Sequence, residues 1–136
     1  MYKNIIVPID VDDAEESKEM LGKVKEIAEK GVRLTTVYVV EDVPGLFTAE
    51  LPDGLVTEVA HKARAAIVEM LEAVGLAADV EVRSGRPHHA IVSLADDLGA
   101  DLIMIASHTP GPRGYLLGST AASVVRHANC SVLVLR

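Results

Sequence analysis

Five short runs rich in Ile, Val and Leu, separated by stretches whose apolar residues recur at helical spacing, constrain this chain more than any other feature. The fullest of them, DLIMIA at 101–106, is almost continuously apolar. A strand covered on one face alternates apolar with polar residues, whereas one covered on both faces does not, so 101–106 reads as a parallel strand between two helical layers. The segment 107–118 then carries Pro110, Gly111, Pro112 and Gly114, and sustains neither helix nor strand. Ser119 and Thr120 precede an Ala/Val-rich run and supply a helix N-cap signal, and 131–135 returns as a β-branched strand. A loop that leaves a strand and enters a helix N-terminus aims unpaired N–H groups at one spot, a geometry that suits phosphate.

The rest of the chain repeats the alternation. Residues 2–10 form an Ile/Val strand ending in Pro8, Ile9 and Asp10; lacking an N–H, Pro8 belongs at its end. A helix follows, with Asp12, Asp13, Glu15 and Glu16 in or before its first turn, where the helix dipole favours them without any metal. Met20, Leu21, Val24, Ile27 and Ala28 form its apolar face, and Gly31 is expected to end it. Residues 33–40 are the second strand. The segment 43–55, with two prolines, two glycines and the single Phe, is a loop that can serve as a lid. At 57–74, Val59, Ala63, Ala66, Ile67, Met70, Leu71 and Val74 make one helical stripe, which Gly75 stops. A strand at 79–84, a turn at 84–87 and a helix at 88–98 ended by Gly99 complete the series.

This order demands a parallel sheet with right-handed crossovers, in a single α/β domain over 1–136. Ligands of open sheets of this kind bind beyond the C-terminal ends of the strands, where strand order reverses. Those ends carry Pro8, Ile9 and Asp10, then Val39 and Val40, then Ser107 and His108.

With 136 residues, 49% of them hydrophobic, one Phe and no Trp, the chain fills a single core with aliphatic side chains. A net charge of −7 argues against non-specific binding to nucleic acid or anionic membranes. No apolar run reaches the ~20 residues of a membrane-spanning helix. The first residues enter a strand without a leader pattern, so a cytoplasmic location is expected. The single cysteine, Cys130, is read as a buried structural thiol.

Neither G-x4-G-K-[ST] nor G-x-G-x-x-G occurs. Asp10 is the lone carboxylate assigned to the crevice, and no residue is assigned to catalysis. His88 and His89, adjacent on a helix, point about 100° apart and chelate a metal poorly, so no metal site is expected. His127 reads as a partner of a helix C-terminus.

The segments IIVPID, VYVVED, SGRPHHAIVSLADDLGADLIMIASH and, most specifically, LLGSTAASVVRHANCSVLVLR resemble the universal stress protein family over the whole chain. The resemblance implies a five-stranded, Rossmann-like fold of the adenine nucleotide alpha hydrolase-like kind. It implies strand order 3-2-1-4-5 and a crevice between the first and fourth strands. ATP-binding members usually show G-x2-G-x9-G-[ST]. Here Ala106 and Thr109 replace the first two glycines, eight residues separate Thr109 from Gly118, and Gly118 with Ser119 matches. An alanine adds one methyl, whereas a β-branched Thr109 disfavours positive φ. The turn has therefore been rebuilt as a unit with Pro110, Gly111 and Pro112, resembling a variant branch that includes nucleotide binders.

Carried over residue by residue, the resemblance puts Pro8, Ile9, Asp10 and Val39 beside adenine, and Ile105 beside adenine or ribose. Ala106, Ser107, His108 and Thr109 form the ribose-phosphate turn, and Gly118, Ser119 and Thr120 offer amides and hydroxyls to the β- and γ-phosphates. Arg113 reads equally as a phosphate cap or a solvated loop charge, and His108 as a turn residue bonded to backbone. The implied function is an ATP-binding regulatory and signalling protein of stress response, with Mg²⁺ arriving only on the phosphates and an unknown signalling partner. The alternative is a nucleotide-free, dimeric interaction module; a slow ATP hydrolase is third, since no base is apparent. The last strand, SVLVLR, leaves an apolar edge that needs covering. The resemblance suggests that the same strand of a second copy covers it, giving a homodimer through Val132, Leu133 and Val134.

Overall fold

The computed structural model describes residues 1–41, 53–107 and 117–136, with side chains from 57 onward in the second of these stretches. Five strands and four helices alternate: β1 (Asn4–Pro8), α1 (Ala14–Ile27), β2 (Arg33–Glu41), α2 (Asp53–Val74), β3 (Asp79–Gly85), α3 (Pro87–Leu98), β4 (Leu102–Ala106), α4 (Ser119–His127) and β5 (Ser131–Leu135). The strands form one sheet in the order β3-β2-β1-β4-β5, parallel at every pairing. Chain order thus runs outward from β1 in one direction through β2 and β3, then jumps back across it to β4 and β5. The reversal falls between β1 and β4.

The two-residue period of the strands divides the core cleanly. Ile5 and Val7 of β1, with Leu102 and Met104 of β4, face α1 and α2, where they meet Leu21, Val24 and Ile67. Ile6, Ile103 and Ile105 face α3 and α4, against Ile91, Leu94, Ala121 and Val124. Ile5, Ile6, Ile103 and Met104 are fully buried, which is why these runs carry no polar alternation. No described helix is long and apolar enough to cross a membrane.

Boundaries differ from the sequence reading where local chemistry intervenes. β1 stops at Pro8, the residue that cannot donate to the ladder, although the Ile9 amide still donates to the Val37 carbonyl at 2.8 Å. α1 ends at Ile27, which is 46% exposed, with Ala28 as cap; Gly31 (φ 89°) instead turns the chain into β2. α2 begins at Asp53, four residues ahead of the expected start. Gly118, and neither Ser119 nor Thr120, is the N-cap of α4, so the cap residue supplies no side-chain hydrogen bond to that helix end. Cys130 is half-buried rather than buried, and its thiol is pushed up by desolvation and then by Asp96 and Asp101. The expected lid at 43–55 lies, up to residue 52, outside the described residues, as do His108, Thr109 and Arg113.

A carboxylate locks the N-terminal end of the sheet. Asp101 accepts from the Lys3 amide at 2.8 Å and from the Asn4 amide at 3.0 Å, while its own amide donates to the Asn4 carbonyl at 2.9 Å. The Asn4 side-chain amide also donates to the Leu98 carbonyl at 2.7 Å. Desolvation alone would raise the Asp101 carboxyl, but the amides of Lys3 and Asn4 outweigh it and hold the group below its usual range. Because the folded value is depressed, this contribution is complete above the unfolded value near 3.8 and is lost as pH falls through the folded one. Asp101→Asn should cost about 1–2 kcal/mol at neutral pH, after allowance for solvent screening. Urea melts should also show a smaller loss of stability on acidification for the variant than for the parent.

Candidate ligand-binding cleft

At the C-terminal ends of β1, β2 and β4 the molecule has a cleft of about 430 Å³. It opens because the central strand is shorter than its neighbour. Pro8, the last residue of β1, pairs with Val37, whereas β2 continues to Glu41. The Val37 carbonyl accepts from Ile9 and therefore faces β1. Backbone direction repeats every second residue along a strand, so the N–H and C=O of Val39 face the same side, beyond the end of β1. A donor and an acceptor on one edge are thus presented to the cleft.

Of the residues expected at a nucleotide site, Pro8, Ile9, Asp10, Val39, Ile105, Ala106 and Thr120 line this cleft together. Ser107, Gly118 and Ser119 stand beside it and do not line it. The Gly118 amide, expected to bind phosphate, already donates to the Ser107 hydroxyl at 3.0 Å, and the Ser107 amide donates to the Leu135 carbonyl at 2.8 Å. Gly118 has φ −60° and ψ 155°, an extended conformation open to any residue, so backbone freedom does not account for glycine there. His108, Thr109 and Arg113 lie outside the described residues.

The floor and walls are apolar: Ile9, Met20, Val37, Val39, Ile91 and Ile105, with the Tyr38 ring at one side and Pro87 at another. A slot of this character accepts a planar base, leaving orientation to a few polar groups. The turn from β1 into α1 is held by its own side chains. Asp10 accepts the Asp12 amide on Oδ1 at 2.9 Å, and its carbonyl accepts the Ser17 hydroxyl at 2.7 Å; Asp13 caps α1 by accepting the Glu16 amide at 3.2 Å. Asp10 is therefore positioned rather than free to swing, and a carboxylate has further lone pairs for a donor on a ligand.

Asp10 is not the lone carboxylate of the crevice: Asp12, Glu16 and Glu41 also line it. Tyr38 registers this wall, for its phenol is raised by burial and then by the charges of Asp12, Asp10 and Glu41. Asp12 and Glu16 were accounted for by the helix dipole alone, though the turn after β1 had to border any ligand at that strand's end. Tyr38 and Glu41 carried no local signal, since their place depends on β2 outrunning β1. Pro87 and Ile91 enter from α3, the helix that crosses to the other face.

The histidines gather elsewhere. The rings of His88 and His89 have centroids 4.4 Å apart, and His88 stacks on His127 at 5.5 Å. His127 Nδ1 is 2.9 Å from the Ser123 carbonyl oxygen in the last turn of α4, which fixes the proton on that nitrogen. His88 is lowered by desolvation, then by His89, His127 and Arg86. Among the described residues no group of three or more His, Cys, Asp or Glu side chains is placed to hold a metal ion.

Fold and cleft together define a doubly wound α/β domain with a cleft at the topological switch point, where ligands of such sheets bind. A profile described as the universal stress protein family matches residues 1–136. Universal stress protein G of Escherichia coli and of Shigella flexneri is 32% identical over 143 residues, covering 100% of both chains. Among solved structures, hypothetical protein MJ0577 superposes with TM-score 0.81 at 27% identity, over 99% of this chain and 96% of that one. UspA from Lactobacillus plantarum superposes with TM-score 0.77 at 29% identity, over 99% and 98%. Two further structures share the fold at 24% and 22% identity, with TM-scores of 0.69 and 0.63; one is a complex with cAMP, the other, from Archaeoglobus fulgidus, a complex with dAMP. The chain belongs to the universal stress protein family.

The Ser107–Gly118 bond ties together the two ends of the segment between β4 and α4. Ser107→Ala should cost about 0.5–1.5 kcal/mol and speed amide hydrogen exchange at Gly118 relative to Ala121 and Ala122.

Proposed function

We propose that this protein binds an adenine nucleotide in the cleft and acts as a regulatory and signalling protein of stress response. The observation that carries this reading is the overhang of β2 past β1, which presents the Val39 backbone to an apolar slot. An adenine edge has a donor and an acceptor side by side, the complement of a strand edge. Asp10, beside the slot, accepts from a ribose hydroxyl or the base amino group. Thr120 meets the phosphate end at the N-terminus of α4, where the helix dipole favours negative charge. ATP is the first ligand to test, with Mg²⁺ carried on its phosphates. That fold neighbours have been solved as complexes with cAMP and dAMP supports an adenine ligand.

Occupancy has a physical route to the surface. A ligand contacts one end of α4, and the other end of that nine-residue helix leads directly into β5. A ligand that binds one arrangement of α4 better than another shifts the population of the β5 edge by that difference. The reading is a regulator rather than a hydrolase, working in the cytoplasm with an unidentified signalling partner.

The test begins with freshly purified protein, denatured and chromatographed. With three Tyr and no Trp the chain absorbs weakly, so bound adenine stands out in the ultraviolet spectrum. Stoichiometric adenine nucleotide, or micromolar binding on titration of the empty protein, is the expected result. Gly118→Leu, whose backbone angles suit leucine, should fold normally and bind at least about tenfold more weakly, ~1.4 kcal/mol. No release and no binding of any adenine compound would sink this reading.

The second reading, a nucleotide-free interaction module, is favoured by β5. It pairs with β4 on one side and is an edge of the sheet on the other, with Leu133 39% exposed and Val132 and Val134 half-buried. An apolar edge of this kind recruits another strand, and a homodimer through Val132, Leu133 and Val134 is proposed under either reading. Sedimentation at micromolar concentration should give a dimer, and Leu133→Asp a folded monomer; a monomeric parent would exclude this interface.

A further inference from the structure

We propose that the start of α3 is a proton-operated latch: the neutral rings of His88, His89 and His127 hold its first turn against α4, and their protonation releases that turn together with the Pro87 side of the cleft.

The three rings come from two helices and meet in one place. His88 is common to both contacts, with ring centroids 4.4 Å from His89 and 5.5 Å from His127. Neutral imidazoles in such contact attract as other aromatic pairs do. Charged rings at the same separation repel, by an amount that solvent screening reduces without cancelling. Desolvation, and then His89, His127 and the permanent charge of Arg86, hold His88 below its ordinary value of 6.5. On α4, Arg126 stands next to His127 in the last turn. Of the strands packed on α3, β2 carries Arg33 and Glu41, and β3 carries Asp79, Glu81 and Arg83, the last two paired at 3.6 Å. Asp96 and Asp97 of α3 itself lie about two turns beyond His88.

The turn that carries His88 and His89 is lightly held. The core-buried side chains of α3 are Ile91, Leu94 and Ala95, all beyond it. Arg86, the cap residue, makes no side-chain hydrogen bond to the helix, and no acidic residue stands in the first turn. α1 is built the opposite way, with Asp13 as a bonding cap and Glu15 and Glu16 behind it. A helix dipole disfavours cations at its N-terminus, so protonating His88 and His89 loads α3 at the end least suited to positive charge. His127 acts from α4. Its Nδ1 proton is committed to the Ser123 carbonyl at 2.9 Å, so the proton gained on acidification goes to Nε2.

The lowered value at His88 sets the direction of the switch. Near that value the folded molecule binds fewer protons there than the unfolded chain does. The latch is therefore at full strength above 6.5 and weakens as pH falls through the folded value. Release reaches the cleft because Pro87, the residue before His88, and Ile91, one turn further on, both line it.

Amide hydrogen exchange and NMR titration of the protein test the latch. Ala90 donates to the Arg86 carbonyl at 3.0 Å across the first turn of α3. From about pH 7.5 to about pH 5.5 the protection factor of that amide should fall at least about threefold, and the Ile91 methyl signals should shift with it. Ser17, whose amide donates to the Asp13 carbonyl at 3.1 Å across the first turn of α1, should keep its protection. His88→Gln should remove most of the Ala90 response, and His127→Gln should raise the titration midpoint of His88. All three rings belong to residues at least partly exposed, so neither substitution empties a core position. Protection at Ala90 that ignores pH would overturn the proposal, and so would a response that persists unchanged in His88→Gln.

Discussion

The parallel pairing of β1 on both of its edges is the interaction from which the rest of the structure follows. Its side chains divide between two apolar layers, so neither layer assembles without it. Its start is fixed to β4 by the Asp101 carboxylate, and its end is fixed by a proline that has no amide hydrogen to give. The chain thereby sets the strand's length chemically at both ends. The cleft exists because that length falls short of β2: a strand continuing beside β2 would have consumed the backbone groups that now face the opening.

The same geometry explains how one cleft can be apolar within and acidic at the rim. Inner surfaces belong to strand residues whose neighbours are core, whereas the rim belongs to the turn after β1 and the end of β2, both at the solvent boundary. The helix dipole accounts for acid at the start of α1, but not for Glu41, which closes a strand. Tyr38, whose phenol is raised first by burial and then by Asp12, Asp10 and Glu41, ties the electrostatics of the rim to the packing of the slot. The electrostatic character of the cleft is thus a property of two separate segments, and neither of them has it alone.

Much of the architecture was legible in the sequence. The β-branched runs and helical stripes gave every element, with their order, because binary pattern and period are local quantities. Gly75 and Gly99 were correctly read as helix stops, each with positive φ, whereas Gly31 was misplaced, since α1 ends where Ile27 reaches solvent. Pro8 was read correctly because a missing donor has one consequence in a ladder. Seven of the predicted site residues, among them Pro8, Asp10 and Thr120, do meet in one cleft. Illegible were the quantities that depend on two elements at once. These include the overhang that brings Tyr38 and Glu41 to the rim, the approach of Ile91 from α3, and the capture of the Gly118 amide by Ser107. The strand order itself came from resemblance; periodicity does not distinguish it from other doubly wound orders.

The hydrogen bond between Ser107 and Gly118 has a consequence for how such a domain varies. It makes the frame indifferent to what lies between its two ends, because β4 and α4 are already held at a fixed separation. Lengthening or shortening the interval then changes little but loop-closure entropy, about 0.6 kcal/mol for each doubling. The interval between Ser107 and Gly118 is therefore one whose change in length little disturbs folding. The length of that interval can drift by insertion and deletion while the scaffold is inherited unchanged.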